Sequence, residues 1–122
     1  MIEKITGKTV MGKGFGRKLG FPTLNIPYKG LLSGVYAGRV FVNGKFEKAA
    51  IHVGRKPTFS DEPVMCESYL VVFDGNVDVG TEIKVELLEK VRNSRKFDNE
   101  DDLKKQISDD VEFVKGWYNS QG

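Results

Sequence analysis

The chain has 122 residues, 39% of them hydrophobic and 30% charged, which is the length and composition of one ordinary globular domain. Nineteen Lys and Arg against seventeen Asp and Glu leave a net charge of +2, which argues against a protein whose main task is to coat nucleic acid or an anionic membrane. One cysteine, Cys66, excludes an internal disulfide and suits a reducing compartment, and one histidine, His52, excludes a multi-histidine metal site. No apolar run reaches the length of a membrane span and the N-terminus lacks an apolar signal core, so the expectation is a cytoplasmic soluble domain.

In chain order, residues 2–10 read as a weak first strand and 11–20 as a glycine-rich basic loop. Phe21 before Pro22 is driven away from the helical region, so 21–26 reads as extended. The runs 35–42 and 45–53 flank Asn43-Gly44, whose residues tolerate the positive φ that a tight hairpin requires. Residues 65–73 and 81–91 read as two further strands, separated by a turn at 74–80. Five or six consecutive, mostly antiparallel strands would close into a small barrel or sandwich to hide their edges. The period then changes. Leu103, Ile107, Val111, Val114 and Tyr118 recur at helical spacing, with Asp98 or Asn99 as cap and an acidic first turn, which predicts one C-terminal helix packed on the barrel.

Several residues are candidates for chemistry. Gly12, Gly14 and Gly16 would let backbone approach phosphate oxygens, and Lys13, Arg17 and Lys18 would add charge; a mobile basic loop is the plain reading. Gly7 and Gly12-Lys13 match most of a P-loop, but Gly14 stands where Ser or Thr must hold magnesium, so a Walker site is rejected. Thr23 and Asn25, two apart on an extended segment, project to one side and offer two hard oxygens suited to magnesium, or cap a turn. Glu67 lies on a mostly apolar stripe with Met65, Tyr69, Val71 and Phe73, as a base for a hydroxyl group or as a solvated strand-end carboxylate. Cys66 alternates to the opposite side and reads as a small core residue, and His52 reads as structural. Arg92 and Phe97 flank the turn into the helix, where they suit a planar ligand or plug the barrel end.

Taken in order, GKGFGRKLGFPTLNI, GVYAG, HVGRKPTF, ESYLVVFDG and VRNSRKFDNEDDLKKQISDD resemble the flavokinase (riboflavin kinase) family from about residue 5 to residue 115. The most specific part is GRKLGFPTLNI, followed by the Arg-x4-Phe element ahead of the acidic-capped helix. The resemblance implies a mainly β fold, a six-stranded antiparallel Greek-key barrel over about residues 1–92 with a helix over about 99–118. It implies an ATP- and Mg-dependent kinase that moves the γ-phosphoryl group to the 5′-hydroxyl of riboflavin, giving ADP and FMN. Glu67 would be the catalytic base, and Thr23 and Asn25 would hold magnesium and the ATP phosphates. Gly12, Gly14, Gly16, Arg17 and Lys18 would form the flap over those phosphates. Tyr69 and Gly80 would border the nucleotide, and Arg92 and Phe97 the isoalloxazine. The implied partners are small molecules, with no nucleic acid and no membrane. The implied state is a monomer, either monofunctional or separated from an adenylyltransferase domain. His52 stands where bacterial members often have Asn, Tyr69 where His is common, and Ser94 where Glu is usual; the 76–80 turn is one residue longer. Two other readings stand beside this one: a noncatalytic flavin or nucleotide binder, and a small-barrel RNA-binding module using Phe15, Phe21, Phe41 and Phe46.

Overall fold

The structure, a computed structural model, describes residues 3–11, 20–54, 64–73 and 75–121. The flap residues Gly12, Gly14, Gly16, Arg17 and Lys18, and Phe15 among the aromatics, lie outside the described residues. Six strands form one antiparallel sheet: β1 (Glu3–Lys8), β2 (Thr23–Pro27), β3 (Gly34–Val42), β4 (Lys45–Gly54), β5 (Met65–Leu70) and β6 (Glu82–Arg92). The helix α1 (Glu100–Ser120) follows. The sheet order is β1-β6-β3-β4-β5-β2, and its stretch β6-β3-β4-β5 is a Greek key, because the fourth strand returns beside the first. The sheet curls into a half-barrel. Its two edges meet at one bridge, where the Val10 N–H donates to the Asn25 carbonyl at 2.8 Å. The expected fold class, six antiparallel strands with a C-terminal helix, is therefore the observed one.

Local chemistry explains the boundaries. At the β3–β4 hairpin Asn43 and Gly44 take φ of 54° and 83°, the mirror-image turn that suits the strand twist. β5 stops at Leu70, three residues before its apolar alternation ends. Its last partner on β2 is Thr23, and the residue before it, Pro22, has no N–H to carry the ladder further. Asn99 caps α1 by accepting from the Asp102 N–H at 2.8 Å, and Glu100, Asp101 and Asp102 complement the dipole.

The sheet has two apolar faces. Leu24, Ile26, Ile51, Val53, Cys66, Leu70 and Val85 fill the concave interior. On the outer face Ala37, Ala50, Tyr69 and Phe97 meet Leu103, Ile107, Val111 and Val114 of α1. Strand alternation divides β5 between them: Cys66 and Leu70 point inward, and Glu67 and Tyr69 point toward the helix side.

Candidate active site

Directly opposed residues of antiparallel strands present their side chains on the same side of the sheet. The register pairs Asn25 with Glu67, Glu67 with His52, His52 with Val35, and Val35 with Arg92. One row thus crosses five strands, β2-β5-β4-β3-β6, and carries four polar side chains that lie far apart in sequence. The next row pairs Thr23 with Tyr69 and Tyr69 with Ala50. Four residues singled out from the sequence, Thr23, Asn25, Glu67 and Tyr69, are therefore one cluster on the outer face.

Glu67 is 8% exposed and accepts a hydrogen bond from the Tyr69 hydroxyl at 3.2 Å. Burial pushes the Tyr69 phenol well above its ordinary 10, and the neighbouring Glu67 carboxylate adds to the shift. Asn25 is buried, and its Oδ1 has no hydrogen-bond partner among the described residues. Buried carbonyl oxygens are ordinarily paired, so an orphan beside a carboxylate has lone pairs available to a ligand's hydrogen-bond donor or to a cation. Thr23 spends its hydroxyl proton on the Phe21 carbonyl at 3.2 Å, which leaves the oxygen lone pairs free to accept. Two neutral oxygens fit a hard cation that keeps few protein ligands and takes the rest of its shell from phosphate and water. Among the described residues no group of three His, Cys, Asp or Glu gathers to form an all-protein metal cage.

The other end of the row opens into a small cavity against α1, about 30 Å³, room for about one water molecule. Its walls include His52, Tyr69, Arg92, Arg95, Phe97 and Asp110. The Arg92 guanidinium is gripped by Asp110 of α1 through two bonds, Nε to Oδ1 at 2.9 Å and Nη2 to Oδ2 at 2.8 Å. Gln106 donates to the same carboxylate at 3.0 Å. His52 Nε2 lies 3.1 Å from Ser94 Oγ, so two of the positions that depart from the family pattern touch each other. Arg95 stacks its guanidinium over the Phe97 ring at 4.8 Å. Phe97 is both a cavity wall and part of the helix-side core, so the plug and the ligand wall are one ring.

Gly80 lies elsewhere. Its φ of +94° shapes the turn before β6, and its N–H donates to the Thr9 carbonyl at 2.8 Å. Thr9 also donates its hydroxyl to the Asp78 carbonyl at 2.8 Å, which ties this turn to the residue preceding the Val10–Asn25 bridge. Tyr69 and Gly80, grouped by resemblance on the nucleotide, thus have different surroundings: Tyr69 lines the cavity under α1, and Gly80 sits at the sheet seam. Cys66 is fully buried, with its thiol pushed up to about 12 by burial and by Glu67, and acts as an interior apolar residue. Of the aromatics that suggested nucleic acid, Phe21 packs against the helix-side core. Phe41 and Phe46 are exposed edge to face at the hairpin, with Arg39 over Phe46. Asp110, Gln106 and Arg95 carry no role in the sequence reading. Asp110 had a legible signal, a carboxylate on the apolar stripe seven residues after Leu103.

The family model described as Flavokinase, riboflavin kinase, matches residues 3–118. The chain is 41% identical over 114 residues to an RNA-binding riboflavin kinase of Bacillus subtilis, covering 90% of this chain and 49% of that protein. It is 36% identical over 121 residues to a bifunctional riboflavin kinase/FMN adenylyltransferase of Haemophilus influenzae, covering 96% of this chain and 39% of that protein. The chain thus spans half or less of the length of these curated relatives. A crystal structure from Streptococcus pneumoniae, described as a macrolide-efflux protein, superposes with a TM-score of 0.72 at 31% identity, over 93% of this chain and 38% of that one. Riboflavin kinase of Trypanosoma brucei shares the fold, with a TM-score of 0.60 at 24% identity over 97% of this chain and 80% of that one.

Proposed function

The chain belongs to the riboflavin kinase family, and from that premise we propose that it transfers the terminal phosphoryl group of ATP to the 5′-hydroxyl of riboflavin, giving ADP and FMN. The observation that carries the reading is the row from Asn25 through Glu67 and His52 to Arg92. It sets a buried carboxylate between an amide oxygen with no hydrogen-bond partner among the described residues and a cavity walled by Arg92, Arg95 and Phe97. Phosphoryl transfer asks a protein mainly for alignment, charge neutralisation and a proton acceptor. Glu67 accepts the proton of the 5′-hydroxyl as that oxygen bonds to the γ-phosphorus and the bond to the ADP oxygen breaks. Thr23 and Asn25 would hold magnesium, which when bound neutralises charge on the ATP phosphates. Gly12, Gly14, Gly16, Arg17 and Lys18 cover the phosphates, and the Gly80 turn flanks the nucleotide near the seam. Arg92, fixed by Asp110, and Phe97 receive the isoalloxazine. The protein acts as a cytoplasmic monomer in this reading. Where the natural protein is longer, an FMN adenylyltransferase domain like that named in the bifunctional relatives is its partner.

The test is conversion of riboflavin to FMN by the purified chain with ATP and magnesium, resolved by chromatography, for the wild type and Asn25→Leu. We expect many turnovers from the wild type. Asn25→Leu should lose about 10²-fold in turnover while its urea midpoint and riboflavin quenching stay close to wild type, because the substitution removes a buried oxygen that has no hydrogen-bond partner among the described residues. Quenching of riboflavin fluorescence without product would make the chain a flavin binder without chemistry. Steeply salt-dependent RNA binding with indifference to flavin would replace the kinase reading altogether.

A further inference from the structure

Tyr69 occupies a position that joins the two halves of the site. Its ring is 4% exposed, lies opposite the small Ala50, and forms a wall of the cavity with Arg92, Phe97 and Ile107. Its hydroxyl reaches the other way, to Glu67 Oε2 at 3.2 Å. We infer that Tyr69 belongs to the flavin side of the site, where its ring closes the riboflavin cavity and its hydroxyl fixes the Glu67 carboxylate for proton transfer. The inference rests on the kinase reading. It moves Tyr69 away from the nucleotide border that the family resemblance suggested.

Three observations support it. The ring packs with Phe97, Leu103 and Ile107 in the cluster between sheet and helix, away from the Gly80 turn at the seam. Ala50 and Ala37 leave the space that the ring fills, so the wall depends on Tyr69 itself. The hydroxyl donates to Glu67 Oε2 at 3.2 Å within the buried layer, so Glu67 has a donor on one oxygen. Tyr69 is accordingly a positioning residue for Glu67 and a wall for the flavin.

Two variants of the full chain test the two parts separately. Tyr69→Phe keeps the ring and removes the donor. Its kcat should fall about tenfold, with the riboflavin dissociation constant and KM for ATP each within about twofold of wild type. Tyr69→Leu keeps apolar bulk and removes the flat wall. Its riboflavin dissociation constant, read from fluorescence quenching, should weaken at least about fivefold with KM for ATP unchanged. A raised KM for ATP with riboflavin affinity intact would return Tyr69 to the nucleotide side and overturn the inference. An unchanged kcat in Tyr69→Phe would overturn the positioning role. A parallel fall of every constant with the melting temperature would mean that Tyr69 only supports the fold. A wild type that binds riboflavin but makes no FMN would defeat the kinase reading, and the affinity of Tyr69→Leu would still uphold or overturn the wall. A wild type that neither binds riboflavin nor makes FMN would defeat both.

Discussion

Cys66 and Glu67 are sequence neighbours on opposite faces of one sheet, and the carboxylate adds to the perturbation of the thiol. The thiol is wholly buried among Ile26, Ile51 and Val53, where a thiolate would be desolvated beside a carboxylate, and it is held up to about 12 against an ordinary 9.0. In the unfolded chain the same thiol loses its proton near its ordinary value. Between about pH 9 and 12 the unfolded state therefore binds fewer protons than the folded one, and stability falls as pH rises; below about 9 the contribution is fully present. The expected slope is about 1.4 kcal/mol per pH unit from this group. Urea unfolding between pH 8 and 11 should show a steeper alkaline loss in the wild type than in Cys66→Ala, whatever the offset from the cavity the variant leaves. Equal slopes would mean that the thiol ionises normally in the folded protein. At this scale the sequence was informative. Period-2 alternation put Cys66 and Glu67 on opposite sides of the strand, with Cys66 in the core, and the two-residue spacing of Thr23 and Asn25 put both on one face. It did not show that Glu67 would face Asn25 and His52, because cross-strand register is set by long-range pairing that no local window contains.

The same limit operates on whole elements. The helix was legible because its stripe, its asparagine cap and its acidic first turn all lie within one stretch of chain. The hairpin was legible because Asn43-Gly44 encodes its own turn. The stopping point of β5 was not, since it depends on what β2 can offer as a partner. Nor was the role of Asp110, a buried carboxylate on the apolar face of α1 that binds Arg92 at the end of β6 in a two-bond fork. That ion pair is what fastens the helix to the last strand beside the cavity. Its side chains are 7% and 21% exposed, so the aspartate is desolvated and the arginine partly hydrated. Removing one partner of a buried pair costs more than the pair itself contributes, because a charge is left behind without compensation. Asp110→Ala should therefore lose about 2–3 kcal/mol, discounted for the exposure of Arg92, and loosen riboflavin binding as the guanidinium swings free. Arg92→Met/Asp110→Leu should recover most of the stability and none of the flavin affinity. If the double variant is as unstable as Asp110→Ala, loss of packing rather than a stranded charge explains the cost.

Across the whole molecule, the interior of the curled sheet and the layer under α1 are two separate apolar cores, and β3, β4 and β5 form the wall between them. Gly38 sits in that wall. Its pairing with β6 is interrupted by a register shift at Ala37/Gly38, and the hydroxyl of Tyr118, in the last turn of α1, donates to its carbonyl. A Cβ built at Gly38 would lie 2.3 Å from the Glu86 carbonyl oxygen and 2.5 Å from Ile51 Cδ1. The glycine is thus required for room, since its backbone does not take a positive φ. Backbone on one side and a filled core on the other leave the extra methyl nowhere to move. Gly38→Ala should cost about 2–3 kcal/mol through overpacking. Gly116 gives the opposite case within the same fold. It lies in the exposed last third of α1, and a Cβ there meets nothing within 4 Å. Gly116→Ala should stabilise by about 0.5–1 kcal/mol, from helix propensity and the lower freedom of the unfolded chain. Urea midpoints at constant slope would read both, and the two shifts should have opposite signs. A harmless Gly38→Ala would mean that β3 and β6 can separate by an ångström or more without loss. The row from Asn25 to Arg92 would then rest on a wall that yields, and the alignment of Glu67 with the cavity would have to come from bound substrates.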